Sequence, residues 1–462
     1  MRETLRSTKF VITFSVCLVL ILLSFYVGAN NYKSSMEQYR AAQAENLRQF
    51  EGLTDWINMQ TNRIFLQPQP LASLVSGISN DIGRTIEVEG RGELQAHDSR
   101  FNDEPIYAVF RFLDLQFLFG IVLSLFAILL GYDAVCGEKE RGTLRLSFAN
   151  SVPRATYIAG KLIGAFLALA VPLILAFLIG ALILPMLSVP LGGTDWIKLI
   201  LIILTGLLYF GVFLTLSIFI SALTHRTSSS FLLLLVIWVV SVLIVPRASV
   251  LLAGRAVDVP SVDEIQAQKN RFIAQLWQED KQKMANFKPE ESEDMEKLMN
   301  QFNKFMDELS AERDAREDEF SGRLNEQRYN RQKVQESLAL NLARISPMTS
   351  MTCAASELAG TSLRLKNRYL SEAEEYQDVY ADFIKEKTGI NPGRMIIMKT
   401  KVGDEEDEVE LIDPNEMPKF RYQSASLAES LSNSIVDMGI LAILNLLFFA
   451  GAFLSFTRYD LR

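Results

Sequence analysis

A chain of 462 residues with 49% hydrophobic and 22% charged side chains has an ordinary overall balance; its formal net charge of −8 says little about a partner, because the acidic surplus sits in one insert while the short loops are basic, and nucleic acid is not expected as one. Three cysteines, Cys17, Cys136 and Cys353, are too few for a disulfide framework. The informative property is segregation: apolar residues gather into runs of about 20 with almost no charge, which is what a bilayer core requires of a helix.

Six such runs are predicted to span a membrane, at 10–29, 109–131, 158–187, 197–222, 231–252 and 435–456. The first is preceded by Arg2, Arg6 and Lys9 and contains "VGA" at 27–29, as a secretory signal would. Its apolar stretch is longer than the roughly 7–15 residues of a signal core, so it reads as an uncleaved helix. The expected domains are an N-terminal tail and first span (1–30), a first extracytoplasmic insert (31–108), a membrane core of four spans (109–252), a large extracytoplasmic helical domain (253–432) and a last span with its tail (433–462).

Between the first two spans, 33–66 reads as helix continuing outward, and Pro68 and Pro70 then break the pattern, with 67–81 running along the membrane surface. "RTIEVEGRGEL" alternates as a strand does. In the larger insert, Pro260, Ser261 and Asp263 signal a helix start, and Ile265, Phe272, Ile273 and Leu276 recur at helical spacing. After Pro289, a face of Met295, Leu298, Met299, Phe302, Phe305, Met306 and Leu309 opens a rod running to about Ile345. It is too polar past residue 310 to stand alone, so it is expected to pair with the preceding helix or a second copy. Residues 344–361 turn apolar again and are expected near the membrane, and 393–413 reads as two strands joined by an acidic turn. The fold class is therefore mainly α: a polytopic membrane protein with six transmembrane helices and a large helical extracytoplasmic domain containing a small β-hairpin.

Orientation follows from Lys and Arg in short loops. Arg2, Arg6 and Lys9, then Lys139, Arg141, Arg145 and Arg154, then Arg226, then Arg458 and Arg462 fall on one side if six helices alternate. That side, with both termini, is expected to be cytoplasmic.

Several chemistries lack their residues. His97 and His225 are the two histidines, which excludes a His-based triad or an HExxH zinc site, and a GxxxxGK[ST] phosphate loop is absent. Arg111, Asp114, Arg247 and Asp437 fall near the outer ends of the spans and Lys161 near an inner end, where each reads as an interfacial anchor. An ion-coupled antiporter, an intramembrane protease and a channel with a charged filter are disfavoured. No catalytic, cofactor-binding or metal-binding residue is expected; if ATP is used, another chain binds it.

One charged stretch stands between two apolar runs: "GEKERGTLRLSFANSVPRATYIAGK", 137–161. Gly142 permits a sharp turn, Thr143 is suited to cap a new helix, and Leu144 with Phe148 forms an i,i+4 apolar pair. That describes a short amphipathic helix at the inner membrane surface, ended by Pro153, with Arg154 and Lys161 anchoring the return to the bilayer. A plain polar loop is the simpler alternative.

This stretch resembles the signature of type-2 ABC transporter permeases, in which an ExExGTL segment, a coupling helix and a proline-containing loop leading to Gly-Lys join the second and third spans. The matching elements are Glu138, Glu140, Gly142, Thr143 and Leu144, then Pro153, then Gly160 and Lys161. "WVVSVLIVPR" (238–247) and "FLSFTRYDLR" (453–462) are similar to a bacterial subgroup carrying a large extracytoplasmic insert of unknown function. The resemblance implies a non-catalytic subunit that pairs with a second permease copy or a paralogue and with a dimer of cytoplasmic ATPases, which carry the ATP and magnesium. It further implies that 143–150 seats in the ATPase, with Glu138, Glu140 and Arg141 making charged contacts beside it and 223–230 a minor one. Export or extraction of a substrate is the function so implied. Alternatives are transmission of ATP-driven motion to a periplasmic partner without transport, or a membrane sensor or scaffold; membrane lipids are expected partners in every case.

Overall fold

The computed structural model describes residues 8–53, 56, 61–79, 82–89, 94, 96–97, 114–144, 153–288, 295–389 and 412–458. Among them, six helices are long and apolar enough to cross a membrane: α1 (Thr8–Arg48), α2 (Leu115–Glu140), α3 (Arg154–Met186), α4 (Gly193–Leu223), α5 (Thr227–Ala256) and a last helix, α10 (Leu427–Thr457). The protein is a mainly helical, polytopic membrane protein. Its chain forms two compact units, one of Met1–Leu243 with Ser346–Arg462, the other of Ile244–Ile345. The expected insert 253–432 is thus divided between them.

In the first unit α1 packs on α3, and α4 packs on both α2 and α10. Lipid tails are as apolar as leucine, so close van der Waals packing holds such helices together. Gly206 shows how close: a Cβ there would lie 2.1 Å from the ring of Phe119. Phe119 in turn stacks on Phe177 at 5.2 Å between centroids, joining α2, α3 and α4. A π-helical stretch at Leu118–Leu123 accompanies that contact in α2.

The segment expected near the membrane is a helix, α8 (Pro347–Ala359), set within this bundle. Ser346 caps its start and Gly360, at φ 71°, ends it. Met351, Ala354, Ala355 and Leu358 are buried as it packs on α4 and α10. Its polar edge meets α2, where the Gln116 side-chain amide donates to Ser356 Oγ at 2.8 Å.

Two expectations are corrected. The helix expected to continue over 33–66 ends at Arg48, because Asn62 and Ile64 are buried alternately within a strand, β1 (Thr61–Phe65), with Leu66 buried just beyond it. It pairs antiparallel with β2 (Thr85–Glu89), Ile64 facing Ile86, and β2 pairs with β3 (Ala96–His97). Asp437, expected as an interfacial anchor, is 1% exposed. It lies well inside α10 in line with the buried Ser430, Ser434 and Leu441.

The sheet packs on α9 (Leu363–Thr388), whose Leu365, Tyr369, Ala373, Tyr376, Tyr380 and Ile384 form one buried stripe. The Tyr369 hydroxyl donates to the carbonyls of Ile64 (3.2 Å) and Arg84 (3.0 Å), and Tyr376 donates to Pro418 O at 2.7 Å. Burial pushes the Tyr376 phenol up to about 12, which keeps it a neutral donor. The hairpin expected at 393–413 lies almost wholly outside the described residues.

The second unit pairs α6 (Val262–Ala285) with α7 (Met295–Ala343), as the polar rod required. At 49 residues α7 is roughly 70 Å long. Phe272 stacks on Phe320 at 4.1 Å and Phe287 on Phe305 at 4.5 Å. Arg313 bridges Asp280 at 3.1 Å while lying over the Trp277 ring at 4.2 Å.

Candidate functional site

The segment 137–161 begins with a short helix, Cys136–Glu140, at the end of α2. Ser221 of α4 fixes its first turn: the hydroxyl oxygen accepts from Val135 N and Cys136 N, each at 3.0 Å. Gly142 at φ 73° closes the turn, its N–H donating to Lys139 O at 3.1 Å.

From this helix three consecutive charged side chains go to three different partners. Glu138 accepts from Lys161 Nζ of α3 at 2.6 Å and from the Tyr157 hydroxyl, while Lys161 also donates to Ala134 O. Lys139 donates to the carbonyls of Ala222 and Thr224, the orphan acceptors at the end of α4. Glu140 Oε2 accepts from the N–H (3.0 Å) and hydroxyl (2.8 Å) of Thr227, an orphan donor at the start of α5. Ser230 of α5 adds a bond to Tyr132 O at 2.8 Å, and Phe456 of α10 stacks on Tyr157 at 5.2 Å. One turn of helix therefore ties the adjoining ends of α2, α3, α4 and α5, with α10 stacked on the junction.

Beyond it, Thr143 is exposed with its hydroxyl donating to Glu138 O, and Leu144 is buried in the bundle core. The junction thus presents Glu140, Arg141, Gly142 and Thr143 to the outside on an immobilised base.

Comparison with known proteins places this chain in a family. The family described as ABC-2 family transporter proteins matches residues 1–461. The chain belongs to that family. Over 132 residues it is also 34% identical to the probable ABC transporter permease protein NosY of Stutzerimonas stutzeri, a match taking in 28% of this chain and 48% of NosY. The chain thus spans about half the length of that curated relative. It is a membrane subunit of an ABC transporter.

In this ABC-2 protein, Glu138, Glu140, Gly142, Thr143, Leu144 and Lys161 come together at the junction, and Arg141 bonds back to Gly137 O at 3.0 Å. Pro153 caps α3 and Arg154 begins it. Phe148 and the rest of 145–152 lie outside the described residues, as does the side chain of Arg154. The charges read as neighbours of a partner's seat are partly spent within the chain: Glu138 faces α3 and Glu140 faces α5. Sequence reasoning missed Tyr157, Ser221 and Thr227. Tyr157 stands one helical turn before Lys161, a spacing that was available; the other two belong to different helices, and nothing local links them to 138–140.

Proposed function

We propose that this chain, as one of two permease copies or paralogues, couples ATP hydrolysis by a separate cytoplasmic ATPase dimer to export or extraction of a substrate across a bacterial inner membrane. The end bearing 137–161 is then cytoplasmic, in line with its Lys and Arg content. The observation that carries the reading is the junction itself. A load applied to the exposed turn Glu140–Thr143 acts at once on the ends of α2, α3, α4 and α5 through Lys161, Lys139 and Glu140. A peripheral loop tied to one helix lacks that property. Residues 143–150 provide the seat, 223–230 a second contact, and the ATP and magnesium belong to the partner.

Transmission of motion to a periplasmic partner without transport is a second reading, favoured by the paired α6 and α7 and the length of α7. Cysteine cross-linking from Thr143→Cys to the co-expressed ATPase tests the common element of both, in a background with Cys353→Ser, because Cys17 and Cys136 are buried and Cys353 is half-buried. A nucleotide-sensitive cross-link supports coupling; cross-linking absent from Thr143→Cys under all nucleotide conditions removes it.

A further inference from the structure

At the opposite end of the bundle, a cavity of about 70 Å³ lies between α1, the turn at Pro70–Ser73, Arg84 and Asp114. By volume it admits a few water-sized groups or one small headgroup. Its wall is rigid: a Cβ on Gly28 would lie 2.6 Å from Ser73 O, and Asp114 accepts from Phe117 N, Ser76 N and Ser76 Oγ. Ser73 and Ser79 are likewise bonded to the carbonyls of Pro70 and Ser76.

The α1 side is different. Tyr32 and Ser35, 6% and 8% exposed, both line the cavity, and neither side chain has a hydrogen-bond partner among the described residues. Neither hydroxyl is sealed inside the protein, so each is open to a hydrogen-bonding group that enters the cavity. Asn31 adds an amide beside them. Arg84 and Asp114 give the lining one charge of each sign.

A helix ridge leads into this site. Val19, Leu23, Val27 and Asn31 follow one another at i,i+4 on α1. Val19 and Leu23 are 62% and 39% exposed within a candidate span, whereas Val27 and Asn31 line the cavity. An apolar track facing lipid that ends in hydrogen-bonding groups matches an amphiphile in length and polarity.

We propose that the cavity binds the headgroup of a membrane amphiphile of no net charge, with Tyr32, Ser35 and Asn31 as hydrogen-bonding groups and an acyl chain along Val19 and Leu23. As a cargo site it rests on the export reading, but binding itself is measured without the ATPase, so the two fail separately.

The test is native mass spectrometry of the purified full chain in detergent, titrated with lysophosphatidylethanolamine, dodecyl glucoside, lysophosphatidylglycerol and chain-free glycerophosphoethanolamine. The zwitterionic and neutral amphiphiles are expected to bind, the anionic one about tenfold more weakly and the chain-free headgroup not measurably. Tyr32→Phe, which removes only the hydroxyl, lowers affinity about fivefold to tenfold, and Ala72→Phe fills the cavity and abolishes binding. Leu182→Ala, at a 61% exposed position on α3, leaves it unchanged. Equal binding by wild type and Tyr32→Phe, preference for the anionic amphiphile, or equal binding of the chain-free headgroup would each overturn the proposal.

Discussion

Glu140 caps α5 from the end of α2: its Oε2 accepts both the backbone N–H and the hydroxyl of Thr227, at 3.0 and 2.8 Å. A carboxylate at a helix start is favoured by the macrodipole, and here it belongs to another span. Glu140→Ala is therefore expected to lower the thermal midpoint in detergent, and Glu140→Gln, which keeps an acceptor, to lower it less. The same rank order is expected for partner ATPase activity.

Among the described residues, Lys161→Met leaves Glu138, with 27% of its side chain exposed, holding only the Tyr157 bond. The cost is about 2 kcal/mol, the scale for a charge-assisted bond lost at a partly buried site. The double variant Glu138→Gln with Lys161→Met recovers part of it, because the unpaired charge is gone; a double-mutant cycle of melting curves reads the coupling.

Gly206→Ala forces a methyl group against the Phe119 ring, which a Cβ would approach to 2.1 Å. A loss of about 1–3 kcal/mol is expected from overpacking. Gly160→Ala is the contrast, since nothing lies within 4 Å of a Cβ there, and it is expected to be neutral or slightly stabilising.

Acid is expected to loosen the α6–α7 pair. Glu279 is held below the ordinary carboxylate value of 4.5 by its bond to Arg316, and Glu312 by its bond to Lys283. A depressed carboxylate contributes stability that is fully present above its unfolded value and is lost as pH falls through the lower folded value. The protection factors of α6 and α7 against hydrogen exchange, corrected for the intrinsic pH dependence, should therefore fall below about pH 4.5, and Arg316→Met should remove part of that dependence.

How much of this was written locally in the chain differs by element. The spans were legible because twenty uncharged residues in a row admit few other interpretations, and the rod of α7 showed through its repeating Met and Phe face. β1 was hidden because a five-residue alternation followed a long helical pattern and drew its partner, Ile86, from across a loop. α8 was seen as apolar but not as a helix inside the bundle, since its contacts with α4 and α10 are remote in sequence. The junction was half legible: Glu138, Gly142 and Lys161 stood out as a motif, whereas Ser221 and Thr227 acquire their roles only when α4 and α5 bring them beside α2.

The central claim is tested most directly by affinity pull-down of the tagged chain in mild detergent, with ATPase assay of the eluate, beside Glu138→Ala with Glu140→Ala. A nucleotide-binding chain should co-elute with wild type, and its retention or activity should fall several-fold in the variant while the spans stay folded. If no such chain accompanies wild type under gentle extraction, or if the folded variant retains full activity, the segment 137–161 is not the coupling element.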